Sequence, residues 1–157
     1  MPRLSSSSPL LHILITFTLL PSLLWAEPLM KVDDRIANIE RWAAKACESD
    51  GGELILSGDE VVLFDFNDDG EIDLTILHED DYNCSGSNSI FSGSLGAVAH
   101  FFTAKDYEHF YVWDVDVVTA FDSTPIVLFT SHPMLCDEVG YAACVGALTI
   151  FEGRIVR

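Results

Sequence analysis

The sequence is poor in positive charge. It contains 8 Lys and Arg residues against 25 Asp and Glu residues, which gives a formal net charge of −17 at pH 7. So acidic a chain repels nucleic acid and anionic lipid, and we therefore expect no nucleic-acid partner. It attracts cations and basic proteins instead. A high net charge also keeps an extracellular protein soluble, which is the simpler explanation.

Several catalytic and binding motifs are absent from the chain. There is no C-x-x-C pair with the spacing of a zinc site, no G-x-S-x-G nucleophile elbow and no glycine-rich loop that would hold a phosphate. No two histidines stand in an H-x-H or H-x-x-x-H pair. These absences favour a protein that is not an enzyme.

A long apolar run occurs only at the N-terminus. Leu10–Leu24 is apolar, Arg3 is the only charged residue before it, and Ala26 precedes a polar segment. The run is interrupted and short for a membrane span, which is typical of a secretory signal peptide. We predict a signal peptide over residues 1–26 and a single domain over residues 27–157, secreted or periplasmic, with no membrane contact after cleavage. An uncleaved N-terminal anchor is the alternative.

Cysteine is scarce, and all of it follows the predicted signal peptide. The four residues are Cys47, Cys84, Cys136 and Cys144. An even number of cysteines in an exported chain indicates two disulfides, for which three pairings exist. We favour Cys47–Cys84, which would tie the end of a predicted helix to the end of a hairpin, and Cys136–Cys144, which would close a short loop. A zinc site at these cysteines is the rival interpretation.

An acidic turn between two apolar runs is the most informative segment. The sequence DFNDDGEID over Asp65–Asp73 has glycine at its sixth position. Side-chain oxygens stand at its first, third, fifth and ninth positions: Asp65, Asn67, Asp69 and Asp73. Ca²⁺ takes several hard oxygen ligands, and glycine permits the sharp turn that brings them together. The spacing predicts a calcium loop between strands at Val61–Phe64 and Ile72–Leu77. The alternative is an ordinary solvated turn.

The loop resembles the D-x-N-x-D-G-x-x-D-L calcium loop of FG-GAP and VCBS repeats. It begins like an EF-hand loop, but Ile76 stands at the twelfth position, where an EF-hand has a bidentate Glu. In FG-GAP and VCBS repeats the loop joins two strands and holds Ca²⁺ without that Glu. The resemblance implies five ligands, four through side chains and one, Glu71, through its backbone carbonyl: Asp65, Asn67, Asp69, Glu71 and Asp73. It covers this loop alone, in one copy, and implies no propeller.

The remaining segments predict one helix and several strands. A helix with an apolar face runs from a cap at Asp33 or Asp34 to about Cys47. Besides the two strands of the calcium hairpin, strands are predicted at Leu54–Leu56, Ala97–Thr103, Phe110–Thr119, Ile126–Ser131, Val145–Phe151 and Arg154–Val156. The fold class is α+β and mainly β, with the helix packed on one antiparallel sheet that is curled or barrel-like. The acidic residues Glu79–Asp81 are expected to be exposed.

The segment Phe110–Thr119 has the clearest alternation. It predicts Trp113, Val115 and Val117 on one face and Val112, Asp114, Asp116 and Val118 on the other. Asp114 and Asp116 would lie about 7 Å apart at Cα, a separation at which paired carboxylates hydrolyse glycosides. Alternating Asp residues more commonly form the solvent-exposed face of a half-buried sheet. His100 is expected to be partly buried and is a second candidate for catalysis.

These features predict an exported, non-enzymatic domain whose fold is stabilised by Ca²⁺ and two disulfides. The sequence does not specify its biological role. Two alternatives stay open: an acidic protein that binds or inhibits a basic partner such as a lysozyme-like hydrolase, and a hydrolase that uses Asp114 and Asp116.

Overall fold

The computed structural model describes residues 31–87, 90–120, 124–136 and 142–157. The predicted signal peptide, residues 1–26, lies outside these ranges. The elements are α1 (Val32–Ser49), β1 (Leu54–Leu56), β2 (Val61–Phe64), β3 (Leu74–His78), β4 (Tyr82–Cys84), β5 (Ser92–Gly93), β6 (Gly96–Phe102), β7 (Tyr107–Val112), β8 (Asp114–Thr119), β9 (Pro125–Ser131), β10 (Cys144–Phe151) and β11 (Arg154–Val156). Two short 3₁₀ turns follow β3 and β9, at Glu79–Asp81 and Pro133–Cys136.

The strands pair antiparallel in three sheets. β1 pairs with β4, and β8 to β11 form a four-stranded sheet in chain order. The third sheet has five strands: β2, β3, β6 and β5, with β7 paired on β6. The fold class α+β, mainly β, is confirmed. The expectation of one sheet is wrong, and the described strands do not close into a barrel.

The five-stranded sheet is the middle layer of the fold. Ala43 and Cys47 of α1 pack with Leu77 and Phe102 in one buried cluster. Successive residues of a strand point to opposite faces, so Phe101 lies on the other face, in a second cluster with residues of the four-stranded sheet. Its ring centroid is 6.4 Å from that of Phe129 on β9. The helix and the four-stranded sheet therefore cover opposite faces of the middle sheet.

The helix follows the predicted apolar periodicity but not the predicted cap. It begins at Val32, and Lys31 at the N-cap position makes no side-chain capping bond. Asp33 and Asp34 lie in the first turn instead, where a carboxylate interacts favourably with the helix dipole. At the other end the amide of Gly52 donates to the Cys47 carbonyl at 3.0 Å. The helix ends at Ser49, close to the predicted end at about Cys47.

The predicted strand Phe110–Thr119 is divided by a β-bulge. The Trp113 amide donates to the Thr130 carbonyl at 2.8 Å, while Asp114 is the residue paired with Thr130. Two consecutive residues thus oppose one, and the bulge shifts the alternation by one position. Val112 and Val115 consequently enter the same buried cluster, although strict alternation had placed them on opposite faces. At the bulge the chain leaves the five-stranded sheet, which contains β7, and enters the four-stranded sheet, which contains β8.

Candidate functional site

The acidic loop connects β2 to β3, as predicted. Phe64 is paired with Leu74, and the Asp73 amide donates to the Phe64 carbonyl at 2.9 Å, which closes the loop. Gly70 has φ +87°, a left-handed conformation that glycine adopts without steric cost. The hairpin is confirmed, but its second strand begins at Leu74 rather than at Ile72.

The amides of the loop hold its carboxylates in position. Asp65 accepts one amide on each carboxylate oxygen, from Asp69 at 3.3 Å and from Gly70 at 2.8 Å. Three further amide bonds go to the other predicted side-chain ligands: Asp69 to Asn67 at 2.9 Å, Glu71 to Asp69 at 2.8 Å and Phe66 to Asp73 at 2.9 Å. The four side chains predicted to bind an ion are therefore the four that organise the loop.

The donor set of the loop has the chemistry that a hard cation requires. All four side chains offer oxygen, and an oxygen that accepts one amide keeps a further lone pair. Asn67, Asp69 and Glu71 are exposed. Within the described residues no three His, Cys, Asp or Glu side chains are arranged as a metal-binding group. The loop thus fits Ca²⁺ by residue type, and binding would require its carboxylates to rotate toward one point.

One predicted disulfide joins the helix to the sheets. Cys47 and Cys84 are bonded, with their Cα atoms 5.6 Å apart, and both lie in the buried cluster beneath α1. This pairing is confirmed. The structure describes the backbone of Cys136 but not its side chain, so the predicted Cys136–Cys144 pairing stays a prediction.

A buried polar network contains a residue that the sequence analysis placed on the surface. Glu79 is only 5% exposed, because the 3₁₀ turn after β3 directs it inward toward His100. The His100 Nε2 atom lies 2.8 Å from Glu79 Oε1, and His100 Nδ1 lies 2.9 Å from the Tyr107 hydroxyl. The expectation that Glu79 is exposed is wrong, whereas the burial of His100 is confirmed.

This network forms the floor of a cleft of about 380 Å³ between α1 and the five-stranded sheet. The lining residues are Asn38, Ile39, Trp42, Glu79, Val98, His100, Tyr107, His109 and Tyr111. Burial raises the pKa of Tyr107, the Arg35 guanidinium opposes this rise, and the Glu79 carboxylate adds to it. The signal in the sequence is the alternation of Tyr107, His109 and Tyr111, which extends past the start of the predicted strand at Phe110.

Asp114 and Asp116 lie on β8, at the edge of the four-stranded sheet. Asp114 accepts the amide of Val115 at 3.0 Å, and Asp116 accepts the amide of Val117 at 2.9 Å. Both carboxylates also line a second cleft, of about 360 Å³, together with His78 and Asp81. Asp114 and Asp116 could therefore contact a ligand in this cleft, but each carboxylate already accepts a hydrogen bond from an amide of its own strand.

The role of these sites has to be argued from their chemistry. No family model, curated protein or solved structure matches this chain. The likeness of Asp65–Asp73 to an FG-GAP or VCBS loop therefore rests on the residues of the loop. No helix among the described residues has the length and apolar character that crossing a membrane requires.

Proposed function

We propose that the protein is an exported, non-enzymatic domain whose fold is stabilised by a Ca²⁺ ion in the loop Asp65–Asp73. The observation that carries this proposal is the hairpin loop, in which four oxygen-bearing side chains stand at calcium spacing around a left-handed Gly70. Its side chains already converge on the loop backbone. When bound, the ion would supply the positive charge that this segment lacks.

The charge distribution supports a cation at this position. No Lys or Arg occurs between Lys45 and Lys105, and the loop lies within that stretch. Among the described residues, Arg157–Glu108 is an ion pair and His100–Glu79 is a contact between a histidine and a carboxylate. Neither involves the loop. Carboxylates that crowd one hairpin without a counter-charge repel each other. A divalent cation would remove that repulsion and stabilise the folded hairpin.

The side chains of Asp65, Asn67, Asp69 and Asp73 and the carbonyl of Glu71 would hold the ion. The set lacks the bidentate Glu that strengthens EF-hand sites, and the loop is open to solvent. We therefore expect the affinity of an extracellular calcium module, with a Kd on the order of 10⁻⁴–10⁻³ M.

Thermal unfolding of the purified, oxidised protein in calcium and in EDTA tests the proposal. Calcium at a hundredfold excess over Kd should stabilise the fold by about 2.7 kcal/mol and raise Tm. Asp65→Asn removes the charge and one of the two oxygens that accept loop amides. Its calcium shift, measured against its own Tm in EDTA, should be smaller than that of the wild type. Asp80→Ala, at an exposed carboxylate outside the loop, is the matched control and should keep the full shift.

Two results would contradict the structural calcium site. One is an absence of any calcium shift in the wild-type protein. The other is an equal shift in the wild type and in Asp65→Asn, which would assign the effect to diffuse screening of the acidic surface. Magnesium provides a further check, because it prefers rigid octahedral geometry and retains its waters, and it should shift Tm less than calcium does.

A basic protein partner is the second candidate function. The specific observation is again the stretch from Lys45 to Lys105, which presents carboxylates on the calcium hairpin and at Asp80 without a neighbouring Lys or Arg. Lysozyme is a suitable basic probe. Its binding should weaken steeply between low and physiological salt, since exposed charges are screened over about 8–10 Å. Failure of lysozyme and of other basic proteins to bind at low ionic strength would exclude this candidate.

A further inference from the structure

We propose that the cleft between α1 and the five-stranded sheet binds a small organic cation of the alkylammonium class. This proposal goes beyond the calcium loop, which lies on a different hairpin, and does not depend on it. It rests on three features of the cleft: open aromatic surfaces, a buried carboxylate and the absence of Lys and Arg from the lining residues that the structure describes.

Aromatic rings form the floor and one wall of the cleft. Tyr107, His109 and Tyr111 occur at every second residue of β7 and therefore share one face of the strand. Tyr111 is 48% exposed, and Trp42, on the opposing helix, is 58% exposed. The faces of such rings carry partial negative charge and attract cations within about 6 Å.

The protein already places one cation on this aromatic surface. The Arg35 guanidinium lies 5.1 Å from the centroid of the Tyr107 ring. Arg35 and Trp42 are seven residues apart on α1, which corresponds to about 10 Å along the helix axis. Arg35 does not line the cleft, so the surface near Trp42 and Tyr111 is left for a cation from solution.

The Glu79 carboxylate supplies a matching charge at the floor. An ionised carboxylate only accepts hydrogen bonds, so the His100 Nε2 atom, 2.8 Å away, must carry the proton. The His100 Nδ1 atom and the Tyr107 hydroxyl are hydrogen-bonded across 2.9 Å. A phenolic oxygen both donates and accepts, so the Tyr107 oxygen also provides an acceptor for a donor in the cleft. The network thus offers a cation one carboxylate and one phenolic oxygen.

The size and charge of the cleft select among ligand classes. Its volume of about 380 Å³ is at the small end of the range for small-molecule sites. The net charge of −17 and the buried Glu79 carboxylate disfavour anions and raise the local concentration of cations. Glu79 is the one carboxylate among the described lining residues, too few hard oxygen ligands for Ca²⁺ or Mg²⁺, so an ammonium group suits the cleft better than such an ion does.

Choline and its neutral isostere 3,3-dimethylbutan-1-ol provide the decisive comparison. Titration of the purified protein at physiological salt, followed by calorimetry and by tryptophan fluorescence, should show that choline binds. Because the two molecules have the same shape, removal of the charge should weaken binding by about threefold to thirtyfold, the range expected for a cation on an aromatic surface. Equal binding of both molecules, or no binding of choline at millimolar concentration, would overturn the proposal.

Variants locate the bound choline. Trp42→Ala and Tyr111→Leu alter exposed rings and should each weaken choline binding by about threefold or more. Phe151→Ala removes an exposed ring outside the cleft, 65% accessible, and should change nothing. Glu79→Gln should reduce the preference for choline over its isostere, provided that its melting curve shows it to be folded. Full retention of affinity in both ring variants would place the choline elsewhere and overturn the proposal.

The calcium loop provides an independent control. Asp65→Asn should leave choline affinity unchanged when the titration is carried out at a temperature well below its Tm. Loss of choline binding in Asp65→Asn with retention in Trp42→Ala would assign the bound cation to the acidic loop and contradict the proposed cleft.

Discussion

The imidazole of His100 and the carboxylate of Glu79 lie 2.8 Å apart in a site where both side chains are almost fully buried. The two residues are 21 positions apart in the chain. Leu77 at the end of β3 is paired with His100 on β6, so the turn that follows β3 brings Glu79 beside the ring. A buried polar group is costly unless it is hydrogen-bonded, and here each residue satisfies the other.

We predict that Glu79→Ala destabilises the fold strongly. The change leaves the Nε2 atom of His100 buried without its partner, and a buried hydrogen-bonding group without a partner costs about 1–3 kcal/mol. Asp80→Ala, at the exposed neighbouring carboxylate, should stay within about 0.5 kcal/mol of the wild type. Urea denaturation measures both values. Similar losses in the two variants would show that the turn, and not the buried pair, determines the effect.

Tyr82 should make stability depend on pH in alkaline solution. Its hydroxyl is buried and has no hydrogen-bond partner among the described residues. Burial raises the pKa of Tyr82 above its ordinary value, and the carboxylates of Glu40, Glu79 and Glu60 add to the rise. A raised pKa in the folded state favours the neutral phenol. Its contribution to stability is therefore present below the unfolded pKa, near 10, and is lost as the pH rises above that value.

Tyr82→Phe separates this contribution from the rest of the alkaline transition. At neutral pH the variant should be as stable as the wild type or up to about 2 kcal/mol more stable, because an unpaired buried hydroxyl is removed and the ring contact with Phe91 is kept. Above pH 10 it should lose less stability per pH unit. Denaturation curves between pH 8 and 11 test both points, and parallel pH profiles would contradict the assignment to Tyr82.

Removal of the Cys47–Cys84 disulfide should cost about 4 kcal/mol. The bond links residues 37 positions apart, and in the chain-entropy model a loop of that length loses about this much on cleavage. Alanine is the appropriate replacement at both positions, because the two sulfurs lie in an apolar cluster. Guanidinium denaturation of the double variant measures the loss. A change of less than about 1 kcal/mol would show that the helix is held by packing alone.

We predict that Asp114 and Asp116 protect the edge strand β8 against association with other molecules. Edge strands expose unpaired amides that promote association, and charged side chains prevent it. Here the two carboxylates also cap the amides of Val115 and Val117. Replacement of both Asp residues with Val should produce dimers or larger species in size-exclusion chromatography. Asp114→Asn with Asp116→Asn keeps the capping oxygens without the charge and should associate less, while a monomeric Val variant would exclude the protective role.

The local patterns of the sequence were sufficient for much of the fold. The helix periodicity, the hairpin around Asp65–Asp73 and the strands Val145–Phe151 and Arg154–Val156 each depend on residues close together in the chain. These features arise from apolar spacing, glycine conformation and turn chemistry, which act over a few positions. They can therefore be recognised in the sequence without the tertiary structure. The Cys47–Cys84 pairing was also predicted, because the ends of two recognised elements carry those residues.

What the sequence determined by itself is the fold class, the acidic character of the surface and the position of the candidate calcium loop. Only the tertiary structure decided where the chain changes sheets and which acidic residues are buried. The prediction of strict alternation across Trp113 was wrong because Trp113 and Asp114 both lie opposite Thr130. Thr130 belongs to β9, a strand further along the chain. The prediction that Glu79 is exposed was wrong because a carboxylate is buried only where a hydrogen-bonding partner is present. The pairing of β3 with β6 places His100 at that position. Periodicity describes one strand at a time, whereas the burial of a charge depends on two segments that meet only in the folded protein.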